Sequence, residues 1–164
     1  MRRVLFWAVL TSSVLGASCA GVDEGSEPIE EARIDEPSTG DAYGDATRLS
    51  LRGDSLLAGG DPAAAVLCYR RAAELDPGFL DAHMKLGEAL LRVEDYQGAI
   101  HAFREVVSLD PDSDRALYGL GFALWQERKL EEARYHMEAA LAQSSDSVLI
   151  GKIRRSLRSL DEDY

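Results

Sequence analysis

The chain has 164 residues, 46% hydrophobic and 29% charged, with 18 Lys+Arg against 29 Asp+Glu for a formal net charge of −11. That length suits one modest domain with appendages, and the ordinary apolar fraction excludes wholesale disorder and a fibrous chain. The acidic balance speaks against a nucleic-acid partner, which would require a basic face, and two cysteines, Cys19 and Cys68, are too few for a disulfide framework or a zinc site.

In residues 1–20, MRRVLFWAVLTSSVLGASCA, Arg2 and Arg3 precede an apolar run from Val4 to Leu15 and then the small residues Gly16, Ala17 and Ser18. This is a signal peptide layout. The run of 12 residues falls short of the ~18 to 20 that span a bilayer. Because Cys19 follows the small residues and precedes an acidic stretch, the leader resembles a bacterial lipoprotein signal, although Gly16 stands where that family has Leu. The resemblance implies an exported, periplasmic protein tethered to a membrane, such as the outer membrane, by lipid on Cys19. The alternative is ordinary cleavage after Ala20, giving a soluble periplasmic or secreted protein; either way Cys68 is the remaining free thiol. Residues 21–45 hold nine carboxylates, one Arg, two Pro and four Gly, a composition that cannot offset the entropy of ordering, so an extended solvated linker is expected.

From residue 46 onward apolar residues recur at helical spacing. Pro77 and Pro111 are 34 residues apart, and Gly53, Gly87 and Gly121 fall at the same interval. A period of 34 denotes stacked helical hairpins. The middle unit runs His83, Leu86-Gly87, Leu90, Ala99, Phe103, Pro111; the third runs Leu117, Leu120-Gly121, Leu124, Ala133, Met137, Ala140, with Ser145 in place of Pro. The first offers Leu49, Arg52-Gly53, Leu56, Ala65, Tyr69, Ala72 and Pro77. This pattern resembles the tetratricopeptide repeat family. The resemblance implies an all-α solenoid of three repeats, 46–79, 80–113 and 114–145, with 146–164 as a C-terminal capping helix and acidic tail. Helices are predicted over 46–58, 62–75, 80–92, 96–109, 114–126, 130–142 and about 147–160. Asp61, Asp95 and Asp146 are the expected helix starts, and the prolines are the stops. The last helix carries an apolar stripe, Leu149, Ile153, Leu157 and Leu160, to cover the end of the array. Its cluster Lys152, Arg154, Arg155 and Arg158 suits the C-terminal half of a helix, with an anion or membrane contact as the alternative.

No enzymatic constellation emerges. His83, His101 and His136 lack metal spacing, no glycine-rich phosphate loop occurs, and Asp110, Asp112 and Asp114 fail as a calcium loop because Arg115 stands where Gly is needed. The expectation is therefore a non-enzymatic binding protein without metal or cofactor. In the resembled family the first helix of each hairpin lines a concave groove for peptides. Helical phase puts Thr47, Ser50, Asp54 and Leu57 there, then Asp81, Met84, Glu88, Leu91 and Arg92, then Arg115, Tyr118, Phe122, Trp125 and Gln126. Tyr118, Phe122 and Trp125 share one helix face, while Leu117, Leu120 and Leu124 supply packing; the aromatics line the groove or lie beneath the closing helix. With an acidic rim of Asp54, Asp81 and Glu88, the expected ligand is an apolar or aromatic segment with some positive charge. Family members that grip a C-terminal carboxylate use a basic and amide clamp, which Ser50, Asp54 and Glu88 do not reproduce. The expected partner is thus a protein or peptide segment of an envelope assembly. The competing reading is a scaffold that self-associates through the same apolar surface as a homo-oligomer.

Overall fold

The computed structural model describes residues 42–162; the leader, the lipidation candidate Cys19 and the linker up to residue 41 lie outside them. The described residues form seven α-helices and no strand: α1 (Ala42–Ala58), α2 (Pro62–Leu75), α3 (Leu80–Arg92), α4 (Tyr96–Leu109), α5 (Asp114–Gln126), α6 (Leu130–Gln143) and α7 (Ser147–Glu162). They pair as three helix–turn–helix hairpins closed by α7. The largest boundary difference from the sequence reading lies at the start of α1. Residues 42–45, assigned to the linker by composition, belong to α1, because Asp45 is buried in its first turn and pairs with Arg48, while Tyr43 meets the Phe79 ring at a tilt of 53° with ring centroids 5.9 Å apart.

Local chemistry sets each hairpin. Asp61 Oδ1 accepts a hydrogen bond from the Ala64 amide at 3.0 Å, and Asp95 Oδ1 accepts one from Gly98 at 2.9 Å, so both second helices start on a carboxylate cap. Asp146 does the same for α7, accepting from the Val148 amide at 2.8 Å. The turn inside each hairpin repeats one hydrogen-bonded closure. The amides of Asp61, Asp95 and Lys129 reach back to the carbonyls of Leu56, Leu90 and Leu124, around a residue with positive φ: Gly60 (86°), Glu94 (61°) and Arg128 (61°).

Within each hairpin a first-helix glycine faces a large side chain 16 residues on. A Cβ on Gly53 would come within 2.5 Å of the Tyr69 ring, one on Gly87 within 2.7 Å of Phe103, and one on Gly121 within 2.7 Å of Met137 Cγ. Gly119 admits the same Phe103 ring from the next hairpin, so Phe103 locks both within and between repeats. Tyr69, Phe103 and Met137 are accordingly buried to 1% exposure or less. Among the described residues the first helices touch in succession, α1 on α3, α3 on α5 and α5 on α7, whereas α2, α4 and α6 do not touch one another. The stack therefore curves with its first helices on the concave side.

Helix α7 occupies the place of the first helix of a fourth repeat. Its Leu149, Ile153 and Leu160 are buried, and Arg134 of α6 pairs with Asp161. Adding 34 to Leu120, Gly121 and Leu124, three of the residues α5 buries, gives Arg154, Arg155 and Arg158, all exposed. The three arginines of the basic cluster thus form the solvent-facing back of the terminal helix, and Lys152 does not belong to that face.

Glu94→Gly removes a left-handed strain and should stabilise the fold by about 0.5–1 kcal/mol, read as a higher urea midpoint. Gly87→Val, which drives a branched side chain into Phe103, should cost about 2 kcal/mol or more in the same measurement.

Candidate functional site

The concave side is lined in one register. Every inward position on α1 recurs 34 residues later on α3 and α5, and the series continues onto α7 as Leu149, Lys152, Ser156 and Ser159. Between α3, α5 and α7 lies an open cavity of about 320 Å³ lined by Glu88, Leu91, Phe103, Arg115, Tyr118, Gly119, Phe122, Leu149 and Lys152. Five expected groove residues, Glu88, Leu91, Arg115, Tyr118 and Phe122, meet there. Trp125 lies one turn further along α5 and meets the Phe122 ring edge-on, with centroids 5.9 Å apart. Tyr118, Phe122 and Trp125 are all half-buried, each packed on the core. The Tyr118 hydroxyl lies 3.2 Å from Ser156 Oγ of α7, so the closing helix flanks the aromatic row. Leu57 and Met84 also pack against the core, while Arg92 is exposed at the end of α3, outside the cavity.

The acidic rim is not a free negative surface. Lys85 Nζ lies 2.8 Å from Asp54 and 2.9 Å from Asp81, and it donates to Ser50 Oγ at 3.4 Å. Tyr69, whose ring fills the first hairpin, extends its hydroxyl to donate to Asp54 Oδ1 at 2.8 Å. Glu88 is held by Arg115 across the gap between α3 and α5 at 2.7 Å. For Asp54, burial favours the neutral acid, but the hydrogen bonds from Lys85 and Tyr69 and the Lys85 charge outweigh it and hold the carboxyl below its usual range. Burial and the bond to Asp54 push the Tyr69 hydroxyl well up, so it stays a donor. Lys85, despite burial, is raised by its two carboxylates.

Lys85 escaped the sequence analysis because helical phase puts it beside the groove; its spacing of four from Asp81 was the available signal. Leu149 and Lys152, expected in the covering stripe and the basic cluster of α7, line the groove together with Ser156 because the 34-residue register runs through that helix.

Elsewhere, Cys68 is buried and burial pushes its thiol pKa up, against the weaker pull of Arg52, which makes it a poor nucleophile. The His83 ring meets the Pro77 carbonyl through Nε2 at 3.1 Å. Among the described residues no group of three or more His, Cys, Asp or Glu is placed to hold a metal ion, and no helix is long and apolar enough to cross a membrane.

Fold and groove together define a helical-hairpin array with an open inner surface. The tetratricopeptide repeat family matches residues 50–99 and 85–148, more than half of the chain, which therefore belongs to that family. Among solved structures, the first such domain of Spaghetti (RPAP3), bound to the HSP90 peptide SRMEEVD, superposes with a TM-score of 0.65 at 22% identity, over 73% of this chain and 95% of that one. MamA (41-end) from Desulfovibrio magneticus RS-1 gives 0.66 at 25% identity over 72% of this chain and 65% of that one. The Yersinia enterocolitica type III secretion chaperone SycD, in complex with a peptide of the translocator YopD, gives 0.66 at 17% identity over 71% and 92%. No curated protein sequence matches the chain.

Because the Asp54 pKa is lowered on folding, its contribution to stability is present above the ordinary carboxylate pKa and is lost as pH falls through the lowered value. Asp54→Asn should therefore flatten the acid limb of the urea midpoint between about pH 5 and about pH 2, while wild type falls more steeply.

Proposed function

We propose that the protein is a non-enzymatic adaptor of the bacterial cell envelope that binds a peptide or an extended protein segment in its concave groove. In this reading residues 1–20 direct export, Cys19 carries the lipid that holds the chain at a membrane, and the acidic linker after it spaces the repeats from that surface. The observation that carries the binding role is the half-buried row Tyr118, Phe122 and Trp125 bordering an open, largely apolar cavity. Aromatic side chains with one face on the core and one face wet offer large contact area at low entropic cost. Two of the structural neighbours were solved with peptides, which is consistent with the same use of the same fold here. The pairing of Asp54, Asp81 and Glu88 removes the reason to expect a strongly cationic ligand.

The chain has two tryptophans, and Trp7 lies in the export segment, so Trp125 reports on the groove of the processed protein. Its emission in dilute protein should shift to the blue when envelope extract is added. An emission that instead reddens on dilution alone would identify a self-associating scaffold. Crosslinking in cells followed by mass spectrometry should recover a protein that is lost in Tyr118→Ala/Phe122→Ala, for which a loss of affinity on the order of 10-fold or more is expected. Labelled palmitate should enter wild type and not Cys19→Ser; equal labelling of both would remove the lipid tether from this reading.

A further inference from the structure

We propose that α7 is the selectivity wall of the groove: Lys152 recruits an acidic side chain of an internal peptide segment, whose neighbouring large apolar side chain enters the cavity between Leu91, Phe122 and Leu149. This rests on the reading of the groove as a peptide site. The charges along the groove are unevenly distributed. At the α1–α3 end Lys85 is shared by Asp54 and Asp81, which leaves one negative charge in excess. In the middle Arg115 and Glu88 cancel. At the α7 end Lys152 lines the cavity, is exposed, and has no acidic partner among the described residues. With Arg115 and Glu88 cancelling, Lys152 leaves the lining of the apolar cavity with one positive charge in excess.

Ligand chemistry follows from that coincidence. A cavity of about 320 Å³ is at the small end of ligand pockets, suited to a side chain or two rather than a globular surface. Its walls are supplied by Leu91, Tyr118, Phe122 and Leu149, so the entering group is apolar. Lys152 stands one turn beyond Leu149 on the same helix, so a carboxylate beside that apolar group meets an unpaired ammonium ion. A lysine beside the same group would meet Lys152 and be repelled. The aromatic row continues past the cavity to Trp125, so a chain can run through and no chain end is required.

The test uses the full chain bearing Cys19→Ser and Trp7→Phe, so that Trp125 is its one tryptophan, and short blocked peptides of about nine residues with one Leu-x-Phe centre flanked by glutamate, lysine or serine, read by Trp125 fluorescence. The glutamate series should bind on the order of 5-fold tighter than serine, and Lys152→Glu should invert the order while helical circular dichroism stays unchanged. Lys152→Met should bring the glutamate and serine series together. If the lysine series binds best, or if Lys152→Glu leaves the order intact, the selectivity assignment is wrong while the groove stands as a peptide site. If serine peptides with a free C-terminal carboxylate match the internal glutamate series, the ligand is a chain end and the internal-segment assignment is overturned. If no series shifts Trp125, the groove reading fails with it.

Discussion

The structure depends on one steric fit, repeated three times: a glycine on the first helix of each hairpin gives up its side chain so that a ring or thioether from the second helix can occupy the space. Gly53 with Tyr69, Gly87 with Phe103 and Gly121 with Met137 bring paired helices close enough that a Cβ would have to displace the facing side chain. Interiors at crystal-like density do not yield to an added methyl group without strain. The three contacts therefore fix how each hairpin crosses. The Phe103 ring, received also by Gly119, fixes how one hairpin sits on the next. The curvature that puts the first helices on the inside follows from these contacts, and so does the groove.

The same side chains couple the core to the groove. The Tyr69 ring is part of the interior, yet its hydroxyl emerges to hold Asp54, which with Asp81 holds Lys85. Position 54 is thereby oriented from below and position 85 from both sides, so polar groups at this end of the groove are preorganised. At the other end the aromatic row is steadied by edge contacts and by the Tyr118–Ser156 approach. One end of the groove is thus braced by charge and the other by packing.

Much of this was legible in the sequence, and particular residues show why. The 34-residue recurrence of Gly53, Gly87 and Gly121 encodes the repeat, and Asp61, Asp95, Pro77 and Pro111 mark helix limits because caps and prolines act locally. The four residues 42–45 were hidden because composition is a property of a stretch, whereas the helical state of Asp45 depends on its burial and its pairing with Arg48. Lys85 was hidden because its two carboxylates come from different helices, one of them 31 residues away. The half-burial of Tyr118, Phe122 and Trp125 could not be read from helix phase, since it depends on where α7 lies. Phase separates inside from outside along one helix but cannot say which outside faces meet.

The exposed row Arg154, Arg155 and Arg158 also governs what the array can become. A further helix laid against α7 would meet a guanidinium where the preceding units offer Gly121 and would have to desolvate the two flanking cations. Growth of the solenoid by tandem duplication at this end would therefore have to accommodate the same three side chains. An array lengthened by another hairpin packed on α7 would need a small residue in place of Arg155, as the earlier units have at Gly53, Gly87 and Gly121.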